Sequence, residues 1–252
     1  MVKYIGIIFN SEVRMRLDKF LVSTGKLTRS ESGRAARSGR LTVNGVSVRR
    51  ADMHIDPEVD RVTLDGELIV YRRHTYIMLN KPSGYVSATD DKNLPTVLEL
   101  LPEELRKLGL FPAGRLDRDT VGLMLLTDNG ELAHFLLSPV SHVPKSYLFA
   151  CRDALSSNDV ETLKAGVDIG EEKPTKPAEL TVNEDGLGGV ITLSEGRYHQ
   201  IKRMFEAVGN KITSLERLTF GPLALDASLA RGEWRFLTPE EIAELEKHNR
   251  NK

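Results

Sequence analysis

The charges of this chain are segregated along its length. Residues 1–50 carry 11 Lys and Arg against three Asp and Glu, a surplus of eight positive charges. The remaining 202 residues carry 24 against 33, so a formal net charge of −1 conceals two segments of opposite sign. Such segregation argues for two modules, the first facing a polyanion and the second a larger acidic body. An acidic body of that size argues against a protein that coats nucleic acid over its whole surface. It fits a basic docking module joined to a catalytic one.

The rest of the composition closes other routes. With 40% hydrophobic and 28% charged residues, wholesale disorder and collagen-like structure are excluded. A chain of 252 residues is expected to bury roughly 70–75% of its unfolded surface, enough for one large core or two smaller ones. The single cysteine, Cys151, leaves no disulfide framework and no Cys-based zinc cluster. No apolar run approaches a membrane span, and Ile5–Phe9 after Lys3 is too short for a signal-peptide core. The expected compartment is the reducing cytoplasm, with no membrane partner.

In the basic segment, Leu17, Phe20 and Leu21 stand at helical spacing before Gly25, so residues 16–24 read as a short helix. Thr28 and Glu31 form a capping-box pattern that opens a second helix ending before Gly39. Two hairpins follow, one around Asn44-Gly45 and one around Asp65-Gly66, with strands at 41–43, 46–48, 62–64 and 68–70. Arg16, Lys19, Arg29, Arg34, Arg37 and Arg40 crowd this unit, and guanidinium forks match phosphate geometry. These six are the candidate residues for binding a phosphate backbone. A solvated surface with a chance basic bias is the plain alternative. Residues 1–14 match nothing in the unit, and Tyr4–Phe9 reads at most as a strand.

In the acidic segment, strands are expected at 76–79, 121–126, 147–150, 190–193 and 212–218. Helices are expected at 102–108, from Asp128 through Leu136, at 158–164, 199–208 and after Thr238. The mixture lacks regular βαβ spacing, so the fold class is α+β. Neither GxGxxG nor GxxxxGK[ST] occurs, nor do HExxH and GxSxG, and His134 and His142 form no metal pattern. Three segments stand out: 113–120 (AGRLDRDT), 145–147 (KSY) and 195–205 (EGRYHQIKRMF). A carboxylate, a phenol and a basic side chain from these segments are the makings of one catalytic cleft.

Two resemblances join these observations. RLDKFLVSTGKLTRSESGRAARSGRLTVNG resembles an S4-type RNA-binding domain over residues 15–60, a helix–helix–hairpin unit that grips structured RNA. Ser32 and Gly33 depart from the bulkier residues expected there, and a mid-helix Gly costs about 1 kcal/mol relative to Ala. GRLD, KSY and GRYHQIKRMF resemble, in order, the motifs of the RsuA/RluA-type pseudouridine synthases. KPSGYVSATDD, PTV and DTVGLMLLTDNGELAHFL resemble the small-subunit branch of that family, and the likeness spans about residues 15–245.

The resemblance implies an S4-like domain at 15–60, a linker and connecting hairpin at 61–74, and a catalytic domain at 75–245. The latter is expected to have a mixed, mainly antiparallel sheet with a central cleft. It implies an RNA isomerase with Asp117 as catalytic carboxylate, Tyr147 as the phenol beside the base and Lys202 as the cation beside Asp117. Arg115 and Arg197 are implied as phosphate or support residues; Leu215 is either an apolar wall under the uracil or an ordinary core residue, and His199 is not assigned as a base. No cofactor or metal is implied, because reactant and product are isomers. The implied substrate is one uridine of 16S ribosomal RNA, position 516 in the usual ribosomal numbering, in a partly assembled small subunit acted on by a monomer. A 23S enzyme of the same family and a non-catalytic RNA-binding assembly protein are the alternatives.

Overall fold

The computed structural model describes residues 14–69, 71 and 73–250, the side chains of 248–250 excepted. The readings made for Tyr4–Phe9, for the extension before Arg14 and for Val70 lie outside these residues. The chain divides into two compact units, Met1–Arg73 and His74–Lys252.

In the first unit, β1 (Met15–Arg16) leads into α1 (Leu17–Ser23), and α2 (Arg29–Arg37) follows. The Thr28–Glu31 capping box is present in both directions, closing two of the orphan donors at the start of α2. Then come β2 (Leu41–Val43), β3 (Val46–Ser47), β4 (His54–Ile55), β5 (Val62–Leu64) and β6 (Glu67–Ile69). Asn44 and Asp65 adopt φ values of 52° and 54°, with Gly45 and Gly66 also left-handed. That is the primed turn geometry that Asn-Gly and Asp-Gly favour. The second hairpin is no free connector. Its β5 pairs with β2 in the order β3-β2-β5-β6, and Val62 and Ile69 enter the same core as Leu17, Phe20, Leu21, Ala35 and Ala36.

The second unit contains β7 (Tyr76–Lys81), α3 (Glu103–Arg106), β8 (Phe111–Pro112), β9 (Val121–Thr127), α4 (Gly130–Leu137), β10 (Lys145–Cys151) and α5 (Ser157–Ala165). It continues with β11 (Glu179–Val182), β12 (Gly188–Leu193), α6 (Gln200–Ala207), β13 (Ile212–Phe220), β14 (Leu223–Ala224), β15 (Trp234–Phe236) and α7 (Pro239–Arg250). The sheet runs β11-β12-β10-β13-β9-β7-β15, with β14 on β13 and β8 on β9. All its pairs are antiparallel except β9–β13, which is parallel. The sheet is therefore mixed and mainly antiparallel, as the resemblance implied.

That one parallel seam joins two halves with different cores. In β7 and β9, successive residues alternate between two buried faces. Met78, Leu123 and Leu125 pack with Leu132, Leu136 and Leu245, while Ile77, Leu79, Met124 and Leu126 pack with Val97, Leu101 and Leu110. Burial on both faces explains why this stretch reads as a continuous apolar run. In the other half, Phe149, Ile191 and Leu193 pack against Leu163 of α5 and Ile201, Met204 and Phe205 of α6. At the seam, Gly122 has φ 98°, and a Cβ there would lie 2.4 Å from the Arg217 carbonyl oxygen. Only glycine lets β13 approach this closely.

One helix start differs from expectation. Asn129, not Asp128, caps α4, its Oδ1 accepting from the Leu132 N–H at 3.0 Å. The Asp128 carboxylate is already engaged, accepting from the Thr75 N–H at 2.8 Å at the start of β7. Among the described residues, no helix is long and apolar enough to cross a membrane.

Candidate active site

The loop between β8 and β9 carries Asp117, and the neighbouring 81–87 segment holds that loop in place. Lys81, at the end of β7, is fully buried, and its Nζ donates to the carbonyls of Thr120 (2.8 Å), Asp117 (3.1 Å), Arg118 (3.2 Å) and Pro82 (3.1 Å). The Ser87 hydroxyl donates to the Leu116 carbonyl at 2.8 Å and accepts from the Leu116 N–H at 2.9 Å. Gly84 N–H donates to the Arg118 carbonyl at 2.9 Å. Burial lowers the Lys81 pKa to about 8, although Asp119 and Asp117 pull it upward. This lysine lies outside the strands and helices expected from the sequence. Its role depends on burial, which no local pattern announces.

Held this way, the Asp117 carboxylate meets the start of α6. Its Oδ2 lies 3.0 Å from Lys202 Nζ and its Oδ1 lies 3.4 Å from His199 Nε2. Lys202 also pairs with Asp119 at 2.6 Å. Burial works against the charge on Lys202, but hydrogen bonds from Asp119 and Asp117 outweigh it and raise its pKa. Burial likewise opposes the charge on Asp119, and Lys202 more than offsets it, leaving the Asp119 pKa lowered. Lys202 is thus a bridge between two loop carboxylates rather than a partner for Glu206 along its own helix. His199 precedes α6 in the left-handed region (φ 50°, ψ 32°), a strained conformation for a residue with a Cβ, and its ring stacks on Tyr198 at 3.8 Å.

Asp117, His199 and Lys202 line one cavity of about 620 Å³, together with Arg115, Thr120, Lys145, Tyr147, Leu215 and Arg217. That volume lies within the range of small-ligand sites and suits a single nucleotide. Tyr147 stands in β10 directly across from the buried Arg217 in β13. Leu215 both lines the cavity and packs into the α5–α6 core. Arg115 is exposed at the cavity wall. Arg197 differs from the expected phosphate contact. Its guanidinium donates to the Lys173 and Pro174 carbonyls at 2.6 and 2.8 Å and pairs with Glu195 and Glu171. Its donors are committed to bracing the loops, so the geometry supports the supporting role alone.

Sequence reading missed Asp119, Lys81, Thr120 and Arg217. Asp119 is two residues from Asp117 in the charged loop, and that proximity was the available signal. Arg217 sits in an apolar strand, where a lone arginine is itself a signal of a buried polar role. Among the described residues, no group of three or more His, Cys, Asp and Glu side chains is placed to hold a metal ion.

The comparisons with known proteins agree with this geometry. Residues 75–207 match the RNA pseudouridylate synthase family, and residues 15–60 match the S4 domain. The Escherichia coli (strain K12) protein named ribosomal small subunit pseudouridine synthase A is 46% identical over 231 residues, covering 91% of this chain and 99% of that one. This chain belongs to the RNA pseudouridylate synthase family. A second relative, the Bacillus subtilis (strain 168) protein named uncharacterized RNA pseudouridine synthase YtzG, is 43% identical over 90% of this chain and 97% of its own. A crystal structure of a pseudouridylate synthase is 42% identical, with a TM-score of 0.65 over 92% of this chain and 99% of that one. As a pseudouridine synthase this chain is an isomerase, and its S4 domain is an RNA-binding module.

In that S4 domain the candidate basic residues divide into two groups. Arg16 forks onto Asp18 at 3.0 and 2.7 Å, Arg29 approaches Asp18 at 3.4 Å, and Arg40 grips Asp65, donating from Nε at 2.8 Å. Asp18 is buried, so Arg29 ties α2 to α1 and Arg16 braces the start of α1, as well as carrying charge. Lys19, Arg34 and Arg37 are exposed and make no ion pair among the described residues. Arg49, which sequence reading passed over, joins this group by donating to the Arg37 carbonyl at 3.0 Å.

Proposed function

We propose that this enzyme converts one uridine of 16S ribosomal RNA, position 516, to pseudouridine, with Asp117 as the catalytic carboxylate. The observation that carries the catalytic assignment is the Asp117–Lys202 contact at 3.0 Å inside the cavity. Lys202 neutralises and orients the carboxylate while leaving it facing the space a nucleoside occupies. Asp117 acts at the sugar, either by attacking C1′ or by taking a proton at C2′, and the C1′–N1 bond breaks. The uracil turns and joins C1′ through C5, as the bond from Asp117 to C1′ breaks or the proton returns from Asp117 to C2′. Tyr147 lies against the base and assists removal of the C5 proton, after which N1 is protonated and the product is an isomer of the reactant. A uridine must leave its stack to enter this cavity, at a few kcal/mol, least in distorted or single-stranded RNA.

The small-subunit target is supported by the relatives named ribosomal small subunit pseudouridine synthase A, from Escherichia coli and from Haemophilus influenzae. Partly assembled small subunits are the favoured substrate, because mature structure stabilises the target and covers the docking surface. The enzyme is expected to act as a monomer. The test is incubation with free 16S RNA, partly assembled particles, mature subunits and 23S RNA, followed by chemical-adduct sequencing. Modification at 516, fastest on the assembling particles, is expected. Modification confined to 23S RNA would redirect the target, and none in any substrate would remove this assignment.

A further inference from the structure

The cations of the cavity are unequally balanced. Lys202 is neutralised by Asp117 and Asp119, and Arg197 by Glu195 and Glu171. Lys145 and Arg217 take part in none of the ion pairs among the described residues. Lys145 Nζ donates to the Val143 carbonyl at 2.9 Å. Arg217 is 1% exposed, and its Nε donates to the Leu123 carbonyl at 2.7 Å. The Phe220 ring serves both cations, 5.4 Å from Lys145 Nζ and 5.0 Å from Arg217 Cζ. Burial, reinforced by repulsion from Arg217, lowers the Lys145 pKa to about 8. Two desolvated like charges without a carboxylate are unfavourable unless something negative joins them.

A second observation points into the same space. Thr120 is 2% exposed and lines the cavity, yet its hydroxyl has no hydrogen-bond partner. Buried polar atoms without partners are rare in folded proteins, and one carried by a residue of the cavity wall is available to a ligand group that reaches it. Sheet register brings these groups to one wall. Arg217 pairs with Gly122, two residues beyond Thr120, on one side and with Tyr147, two residues beyond Lys145, on the other.

We propose that Lys145, with Arg217 behind it and the Thr120 hydroxyl beside it, receives the detached base as its anion. This rests on the reading of the cavity as the site where Asp117 acts. When the C1′–N1 bond breaks, its electron pair leaves with the base, and the charge spreads over N1 and the two carbonyl oxygens. The sugar carbon is meanwhile held as an ester of Asp117, or as a glycal with the C2′ proton on Asp117. Lys145 donates to the anionic edge, Arg217 adds its field through the wall, and the hydroxyl gains its missing partner. The charge disperses when C5 bonds to C1′, with the Asp117 ester bond breaking or the C2′ proton returning from Asp117, after which the C5 proton departs and N1 is protonated. A backbone phosphate is the other anion available. It suits this wall less, because Arg217, 1% exposed, is shut away from the solvent in which a phosphate would stay.

Lys145→Met separates the possibilities, since methionine keeps the side-chain length and removes the charge. Two readouts are needed. The first is single-turnover pseudouridine formation with saturating enzyme, set beside RNA affinity across a salt series. The second is calorimetric binding of uracil, which is neutral, and of 5-nitrouracil, an acidic analogue that is an anion at neutral pH. Wild type is expected to prefer 5-nitrouracil. Lys145→Met is expected to lose that preference and roughly 10²-fold in single-turnover rate, as when one donor to a developing anion is removed, with unchanged RNA affinity and salt slope. Lys145→Arg, which retains the charge, should keep the preference and guards against a folding defect. An unchanged rate, or an unchanged preference for the anion, overturns the proposal. So does a loss confined to RNA affinity with a shallower salt slope, which would make Lys145 a phosphate contact. Asp117→Asn in parallel tests the underlying reading: turnover by that variant would remove Asp117 from catalysis, whatever Lys145 does.

Discussion

Replacing Lys81 by methionine tests whether the catalytic loop depends on a single buried ammonium. Lysine with its pKa brought from 10.5 to about 8 carries a burden of roughly 3 kcal/mol in the folded state, which methionine removes. Against that stand the carbonyls that lose their donor. Asp117 keeps a second donor in the Thr120 N–H and Arg118 keeps the Gly84 N–H, so Pro82 and Thr120 are the acceptors left without one. Two stranded buried acceptors cost about 2–6 kcal/mol together. The difference is a net destabilisation on the order of 1 kcal/mol, or ~2–4 °C in Tm for a unit of this size. Activity should suffer far more. The loop that aims Asp117 loses its fastening, and misplacement of a catalytic group by an ångström lowers rates by about 10²-fold. Urea titration followed by circular dichroism, with single-turnover pseudouridine formation on the same preparation, measures both quantities. A wild-type rate would show that the loop is held by other means. Destabilisation above about 5 kcal/mol would make Lys81 a determinant of the core rather than of the site.

Other outcomes follow from the same geometry. Lys202→Met leaves Asp117 and Asp119 without their shared cation, so pseudouridine formation is expected to fall at least ~10²-fold, with partial retention in Lys202→Arg; equal rates for wild type and Lys202→Met would contradict this. The triple replacement of Arg34, Arg37 and Arg49 by Ala should weaken binding to folded RNA, with a salt slope shallower by about 2–3, and filter binding giving identical slopes would exclude this patch. Gly122→Ala should lower the thermal midpoint or prevent folding, because its Cβ would lie 2.4 Å from the Arg217 carbonyl oxygen; an unchanged midpoint would refute the close approach at the seam. The rate should decline as pH rises through about 8, where Lys81 and Lys145 lose their protons. Both values lie below the 10.5 of the unfolded chain, so these groups make folding more favourable, not less, between about pH 8 and 10.5. A flat rate profile across pH 7–9.5 would contradict it.

What the sequence disclosed and what it withheld follow a physical division. Asn44-Gly45, Asp65-Gly66 and the Thr28–Glu31 box are local, and each appears in the structure at its expected place. The cap of α4 was misplaced by one residue because Asp128 is taken by Thr75, more than 50 residues earlier, and no local pattern reports that competition. The strands β11 and β15 went unread. Glu179–Val182 carries only two apolar residues, and Trp234–Phe236 is three residues long, so both are defined by their sheet partners. The site divides in the same manner. Asp117, Tyr147 and Lys202 were read through motifs, whereas Lys81, Thr120 and Arg217 are distinguished by burial, and the choice between the two expected roles of Arg197 turns on Glu171 and the Lys173 and Pro174 carbonyls, which lie apart from its own motif.

The central claim is that Asp117 is the catalytic carboxylate, and Asp117→Asn tests it most directly. Asparagine keeps the size of the side chain and removes the group that meets Lys202 at 3.0 Å. Pseudouridine formation at the target uridine should be quantified site by site, with RNA affinity and circular dichroism measured on the same protein. The account predicts no detectable product, RNA affinity within about two-fold of wild type given that this side chain makes no phosphate contact, and an unaltered spectrum. Appreciable turnover by a clean preparation would contradict it.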